Sequence, residues 1–258
     1  RFQIQTYQMS FQHLNEFMEM QPINALQSAY NGDGEDSFFK YIKTNCKVIF
    51  DVGCFAGTYD NGDKAVNMFT QLNDIDVHYF DPVPEYVDEV ESQITSKDRS
   101  FLNRFGLSNT TGKLPYYSEV MSFVERSKTL PTRVTEPDRM FDIKRGDEYV
   151  KENNIKSIDF LKIDVEGFEK GVIEGFGDSI KNIKIIQFEY GGCWIDSEIK
   201  LVDVVEYLKH AGFTNFGRLY NNGIIPLGET FVDDYNFSNM VCHNKNNYNS
   251  WEDDKFKG

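Results

Sequence analysis

The sequence has none of the features of a membrane or secreted protein. No run of about 18 apolar residues occurs in the 258 residues, which argues against a membrane-spanning helix. The first residues, RFQIQTYQMSFQHL, lack the basic start, apolar middle and small-residue cleavage site of a secretory signal. We therefore expect a cytoplasmic protein with no membrane span.

Cysteine and histidine are scarce. The four cysteines are far apart and form neither a CxxC pair nor a zinc-binding spacing: Cys46, Cys54, Cys193 and Cys242. The four histidines are equally scattered: His13, His78, His210 and His243. This pattern favours free thiols in a reducing compartment, although a disulfide stays open, and it gives no support to a His/Asp metal cluster.

Positive charge is also in short supply. Lys and Arg number 27 against 41 Asp and Glu, for a formal net charge of −14. Proteins that bind nucleic acid or anionic membranes do so through clustered Lys and Arg, and the longest basic candidate here is the thin KTLPTR at 128–133. We expect a small-molecule or glycan partner rather than nucleic acid, and the oligomeric state is not readable.

Hydrophobic residues make up 40% of the chain, ample for a packed core, and strands alternate with helices along it. The patterns predict strands over 47–53, 76–82, 100–108, 158–164, 183–190, 213–220, 228–233 and 238–244. They predict helices over 64–72, 84–94, 147–153, 167–176 and 198–212. This alternation indicates an α/β fold with a mostly parallel, doubly wound sheet and an antiparallel edge.

The chain divides into one large domain with appendages. Residues 1–36 form a helical or irregular segment, interpreted as a lid or an oligomer contact. The main domain covers 37–245, with an insertion of turns and short runs around 113–145, and a polar tail follows over 246–258.

Two strand ends are typical of a nucleoside site. The first strand ends in DVGCFAG, where Gly53 and Gly57 let a ligand approach the backbone at a strand-to-helix turn. The spacing is not the GxGxxG of dinucleotide sites, which disfavours an NAD oxidoreductase. The second strand ends in Asp81, which either accepts hydrogen bonds from ribose hydroxyls or forms a turn before Pro82.

The segment FLKIDVEGFEK, residues 160–170, carries charge inside a predicted central strand. In strand phase Lys162 and Asp164 share a face, so they form either an intrastrand pair or the walls of a polar cleft. Glu169 is predicted to be an acid at a helix start on a solvated face, and Glu166 lies in the turn before it. Glu189 closes the next strand, and these polar strand ends indicate a site rather than packing.

The segments VIFDVGCFAG, YFDPVPE, FGLSNTTG, SIDFLKIDVEGFEKGVIEGF and IIQFEY, in this order, resemble the FkbM family of S-adenosylmethionine-dependent methyltransferases. The resemblance covers roughly residues 37–245, and its most specific element is KIDVEGFE over 162–169. It implies the Rossmann-like, seven-stranded class I methyltransferase fold. It also implies that S-adenosylmethionine is the cofactor and S-adenosylhomocysteine the product.

The resemblance assigns cofactor-binding roles to residues at the strand ends. The cofactor turn and its wall are implied to be Asp51, Gly53, Cys54, Phe55 and Gly57. The ribose site is implied to be Asp81 with Pro82, and the adenine-side wall Gly106, Leu107 and Ser108. Asp164 takes the strand end that faces the transferred methyl group in this fold.

The resemblance implies O-methylation, often of a sugar hydroxyl in a glycan or of a small metabolite. Asp164 is the first choice for the base or orienting carboxylate, Lys162 would hold it, and Glu189 and Glu166 are reserve acids. If a divalent ion is used, Asp164 and Glu189 are its predicted ligands. The alternatives are a nucleic-acid 2′-O-methyltransferase, disfavoured by the charge, and a non-catalytic nucleoside-cofactor-binding module.

Overall fold

Alternating strands and helices build the part of the chain that the computed structural model describes, residues 34–56, 65–132, 136–220, 223–228 and 231–247. The α-helices in these ranges, α1 to α6, are Glu35–Ile42, Pro84–Gln93, Gly146–Glu152, Glu169–Gly175, Cys193–Asp196 and Leu201–His210. The strands β1 to β11 are Val48–Val52, Asp76–Phe80, Ser100–Asn103, Gly106–Ser108, Gly112–Tyr116, Arg139–Arg145, Ile158–Ile163, Ile183–Tyr190, Phe213–Tyr220, Gly223–Pro226 and Ser238–Asn244. No helix among the described residues is long and apolar enough to cross a membrane.

The main sheet has the strand order β10-β9-β11-β8-β7-β1-β2-β3. Strands β8, β7, β1, β2 and β3 pair in parallel, whereas β11 runs antiparallel to both β8 and β9. The predicted mixed α/β class with a mostly parallel sheet is confirmed. The sheet has eight strands, whereas the fold implied by the resemblance has seven; one of the eight is GIIP, which forms β10 and pairs antiparallel with β9.

The two faces of β7 pack into different hydrophobic clusters, as the predicted alternation requires. Phe160 packs with Phe39 of α1 and Phe69 on one face of the sheet. Leu161 and Ile163 pack on the opposite face with residues of α4 and α6. All six residues of β7 are buried, which is the expected state of a central parallel strand.

A second, three-stranded sheet has the order β4-β6-β5. It divides the strand predicted over 100–108, because β3 stays in the main sheet while β4 pairs with β6. Helix α4 packs tightly on β4: a Cβ on Gly175 would lie 2.0 Å from the carbonyl oxygen of Ser108. Tyr116 of β5 packs near Val83, which brings the small sheet beside the carboxyl end of β2.

Two predicted elements are wrong in the described ranges. Residues 65–72 of the helix predicted over 64–72 are not helical, and residues 68–71 form a turn. The reason is local: the side-chain oxygen of Asn67 accepts the amide of Phe69 at 3.0 Å, a bond that competes with helix formation. The strand predicted over 228–233 is replaced by β10. Most of the segments predicted at 1–36 and 246–258 lies outside the described residues.

Candidate active site

The carboxyl ends of β1, β2 and β7 meet at one edge of the main sheet. The amide of Gly53 donates to the carbonyl oxygen of Phe80 at 2.9 Å, and the amide of Asp164 donates to that of Val52 at 2.9 Å. Asp81 is the residue that directly follows β2. The structure therefore brings together Gly53, Asp81 and Asp164, at the edge where open parallel sheets bind their ligands.

Glycine is the only residue type that fits this turn at position 53. Its φ is +82°, and a Cβ there would lie 1.7 Å from the carbonyl oxygen of Asp164. Cys54 beside it is buried, and Phe55 is half-buried and packs edge-to-face on Tyr86, with the ring centroids 4.7 Å apart. Gly57, the second predicted glycine of the turn, lies outside the described residues.

Asp51 lies inside the sheet, under this turn. Its carboxylate accepts a hydrogen bond from the amide group of Asn67 at 2.5 Å. Burial raises the pKa of Asp51 to about 6, and Lys162 and Asn67 oppose the shift. Asp51 therefore places an ionisable carboxyl group beneath the turn.

Asp81 is buried at the end of β2 and takes part in a turn, which is one of the two roles that the sequence predicts for it. Its Oδ1 accepts the amide of Val83 at 2.9 Å, the one donor to this carboxylate in the described ranges, and Pro82 between them is half-buried. Burial raises the pKa of Asp81 to about 7; the Val83 bond opposes this, and Asp51 and Asp164 reinforce it. The carboxylate keeps acceptor capacity for a ligand.

Lys162 has carboxylate partners that explain its burial in β7. Its Nζ lies 3.0 Å from Asp164 Oδ2 and 3.5 Å from Glu35 Oε1, and Asp51 is its register partner on β1. Burial alone lowers the pKa of Lys162, but Asp164, Glu35 and Asp51 together raise it well above the usual range. Gln187, the register partner on β8, donates to Glu35 as well. The predicted intrastrand pair is present and belongs to a larger network.

A second acidic group surrounds the ends of β7 and β8. Burial raises the pKa of Glu189, and the negative charges of Asp164, Glu166 and Glu169 add to the shift. Burial also raises the pKa of Glu166, Asp164 acts in the same direction, and Arg126 opposes it from 3.4 Å. Glu166 has φ +54°, so the backbone leaves the extended conformation of β7 in this turn.

Glu169 is not on a solvated face, so that prediction is wrong. Its side chain is fully buried at the start of α4, and its Oε1 accepts the amides of Val165 and Gly167, each at 3.1 Å. Burial raises the pKa of Glu169 to about 7 despite these bonds. The carboxylate closes the turn after β7 from inside.

The predicted adenine-side residues lie in the small sheet. Leu107 packs in the main core, and Gly106 lies against the ring of Phe123, 2.9 Å from where its Cβ would stand. Ser108 is fully buried and its hydroxyl accepts the amide of Thr110. No described contact joins these three residues to Gly53 or Asp81, so their adenine role stays a prediction.

Sequence reasoning missed several residues that touch the site. Glu35 and Asn67 reach Lys162 and Asp51 from distant segments, and Arg126 reaches Glu166 from the loop between β5 and β6. No local pattern marks these three. Cys193 carried a usable signal, because it follows Glu189 closely after a Gly-Gly turn at the end of a predicted strand.

Comparisons with known proteins add to this geometry. Solved structures similar to this chain include precorrin 8w decarboxylase from Methanobacterium thermoautotrophicum and the human methyltransferase 10 domain containing protein. The first has 15% identity and a TM-score of 0.39, covering 84% of this chain and 94% of its own. The second has 8% identity and a TM-score of 0.39, covering 92% and 99%. A search of curated protein sequences gives no significant match.

The decisive comparison is with a family model. The model for the methyltransferase FkbM domain matches residues 54–214, more than half of the chain, including β2, β7 and β8. The KIDVEGFE segment lies inside this match, as do Asp81 at the end of β2 and Asp164 at the end of β7. The chain belongs to the FkbM methyltransferase family.

Proposed function

We propose that this protein is an S-adenosylmethionine-dependent O-methyltransferase that acts on a hydroxyl group of a sugar, a glycan or a small metabolite. The observation that carries the proposal is the convergence of Gly53, Asp81 and Asp164 at the carboxyl edge of the sheet. Membership of the FkbM family supports the methyltransferase class and implies this cofactor. The proposal goes beyond the family in naming a hydroxyl group as the methyl acceptor.

The residues at this edge fit a nucleoside cofactor with a sulfonium. The Asp81 carboxylate can accept ribose hydroxyls beyond its one bond to Val83, and Gly53 lets the turn after β1 pack closely against the turn after β7 beside it. Asp51 and Asp164 add negative charge that suits a cationic ligand. When bound, S-adenosylmethionine supplies an activated methyl group, and S-adenosylhomocysteine is the product.

Asp164 is the residue best suited to orient the acceptor and take its proton. Its side chain is 38% exposed, so a hydroxyl can reach it, whereas the side chain of Lys162 is 10% exposed beneath it. Lys162 donates a hydrogen bond to the carboxylate at 3.0 Å and holds its orientation. A hydroxyl is a poor nucleophile at neutral pH, so a positioned base accelerates its attack. Glu166 and Glu189 are reserve acids.

The net charge of the chain supports a neutral acceptor, and its free thiols support a cytoplasmic location. A net charge of −14 suits a neutral sugar or alcohol better than a polyanion such as nucleic acid. All four cysteines are free and buried, as expected in a reducing compartment.

The test is a transfer assay with labelled methyl groups across glycans, small alcohols and RNA, comparing the wild type with Asp164→Asn. Loss of the base should reduce turnover by about 10²–10⁴-fold, with the affinity for S-adenosylhomocysteine retained. Asp142→Asn, which changes an exposed carboxylate of β6, is the matched control. Turnover in Asp164→Asn within about threefold of the wild type contradicts the assigned role, and transfer to RNA alone contradicts the proposed acceptor.

A further inference from the structure

A cluster beside Asp164 has the composition of a metal site. Glu166 in the turn after β7, Glu189 in β8 and Cys193 at the start of α5 each offer one ligand atom, and these atoms lie within 4.8 Å of one another. Two carboxylate oxygens and one sulfur suit a borderline-soft ion such as Zn²⁺ better than Mg²⁺ or Ca²⁺.

The backbone brings these three residues together through a close approach of two turns. Gly167 has φ +99°, and a Cβ there would lie 3.0 Å from the carbonyl oxygen of Cys193 and 3.2 Å from its Cβ. The hydroxyl of Ser197 donates to the carbonyl oxygens of both Gly167 and Cys193, which ties the turn after β7 to α5. The cluster is therefore built into the fold.

A buried, unpartnered carboxylate oxygen gives independent support for a cation. Glu169 is 0% exposed, and its Oε2 has no hydrogen-bond partner among the described residues. This carboxylate lies beside the cluster, because its Oε1 accepts the amide of Gly167, the residue that follows Glu166 and packs against Cys193. Glu189 Oε2 is a second buried oxygen with no partner in the described ranges. Buried oxygens of this kind are costly unless a cation or a donor satisfies them.

The local cations do not balance this charge. Arg126 lies 3.4 Å from Glu166 Oε2 but makes its shorter contact, 3.0 Å, with Asp196 Oδ2. Lys162, the other cation that acts on Glu189, is paired with Asp164 and Glu35. Both cations near these glutamates in the described ranges therefore have other acidic partners as well.

We propose that Glu166, Glu189 and Cys193 bind one divalent transition-metal ion of the Zn²⁺ type. Two ligands of a tetrahedral Zn²⁺ lie roughly 3.4–3.6 Å apart. The three side chains, whose ligand atoms lie within 4.8 Å of one another, therefore complete the site by shifts of about 1 Å. Three protein ligands leave a fourth position open to water or to a hydroxyl oxygen. The inference rests on the proposed function only for its catalytic meaning: Glu166 follows Asp164 by two residues, and Asp164 is where the acceptor hydroxyl is proposed to bind.

The test titrates metal-free full-length protein with Zn²⁺ by calorimetry. We expect one Zn²⁺ per chain, with affinity lowered more than about tenfold in Cys193→Ser and in Glu189→Gln. Cys46→Ser is the matched control, because Cys46 is also a buried free thiol but lies before β1. Absence of stoichiometric binding, or equal affinity in both ligand variants and the wild type, overturns the proposal.

Cobalt provides a readout that needs no variant to fold. A Co²⁺-loaded wild type should show a thiolate-to-cobalt charge-transfer band, and its absence at saturating Co²⁺ also overturns the proposal. Binding of S-adenosylhomocysteine is measured on the same samples. Metal binding without cofactor binding contradicts the methyltransferase proposal alone, whereas cofactor binding without metal binding contradicts this inference alone.

Discussion

Replacing Gly53 with alanine should destabilise the fold and displace Asp164 at the same time. The new Cβ would stand 1.7 Å from the carbonyl oxygen of Asp164, a backbone atom that cannot rotate away. At φ +82° an L-residue costs about 1–2 kcal/mol, and relief of the overlap adds about 1–3 kcal/mol. The sum of roughly 2–5 kcal/mol corresponds to a fall in Tm of roughly 4–20 °C for a chain of this size.

The control is Gly112→Ala, because Gly112 also has positive φ, +152°, but a Cβ there meets no atom within 4 Å. It isolates the backbone cost from the overlap. Both variants are measured by thermal unfolding and by S-adenosylhomocysteine affinity. Gly53→Ala should melt lower than Gly112→Ala and bind the ligand more weakly. Equal Tm values and equal affinities in the two variants would refute the close contact between the turns after β1 and β7.

Two further predictions concern buried charges. Lys162→Met leaves Asp164 and Glu35 without their shared ammonium and should lower the free energy of unfolding in urea by about 3–5 kcal/mol. The control Lys113→Met removes an exposed ammonium and should cost less than about 1 kcal/mol. A loss below about 1 kcal/mol for Lys162→Met contradicts the network. Because burial raises the pKa of Asp81 to about 7, its carboxylate gains charge as pH rises through 7. If the ionised form accepts the ribose hydroxyls, S-adenosylhomocysteine affinity should rise roughly tenfold from pH 6 to pH 8 and stay flat in Asp81→Asn; an equal rise in Asp81→Asn contradicts this role.

Local patterns predict the centre of the sheet well because periodicity and strand-end chemistry are short-range signals. The alternation in β7 puts Lys162 and Asp164 on one face, and their contact at 3.0 Å follows from it. The same short-range logic fails for Glu169. A helix-start acid is normally solvated, but here the amides of Val165 and Gly167 fold back onto the carboxylate and enclose it.

Long-range contacts limit what the sequence predicts. Glu35 satisfies Lys162 from α1, and nothing near either residue marks the pair. The segment 100–108 has the apolar pattern of one strand, yet packing of Gly175 on Ser108 holds its second half in a different sheet. Arg126 and Cys193 approach Glu166 and Glu189 only after the loops fold over the strand ends.

The sheet edge nonetheless could be located from the sequence, since Gly53, Asp81 and Asp164 each directly follow a parallel strand. The carboxyl ends of neighbouring parallel strands lie at the same edge, so residues that follow them converge. What the sequence does not encode locally is how burial and neighbours set the charge of these groups.

The most direct test of the central claim is calorimetric and thermal-shift binding of S-adenosylhomocysteine to the wild type and to Asp81→Ala, with NAD and ATP as comparison ligands. At about 100 times its Kd, the ligand should stabilise the wild type by about 2.7 kcal/mol, or roughly 5–10 °C in Tm, and Asp81→Ala should lose most of this shift. NAD and ATP should give little stabilisation. Absence of any shift at saturating S-adenosylhomocysteine, or an equal shift in Asp81→Ala, would contradict the account.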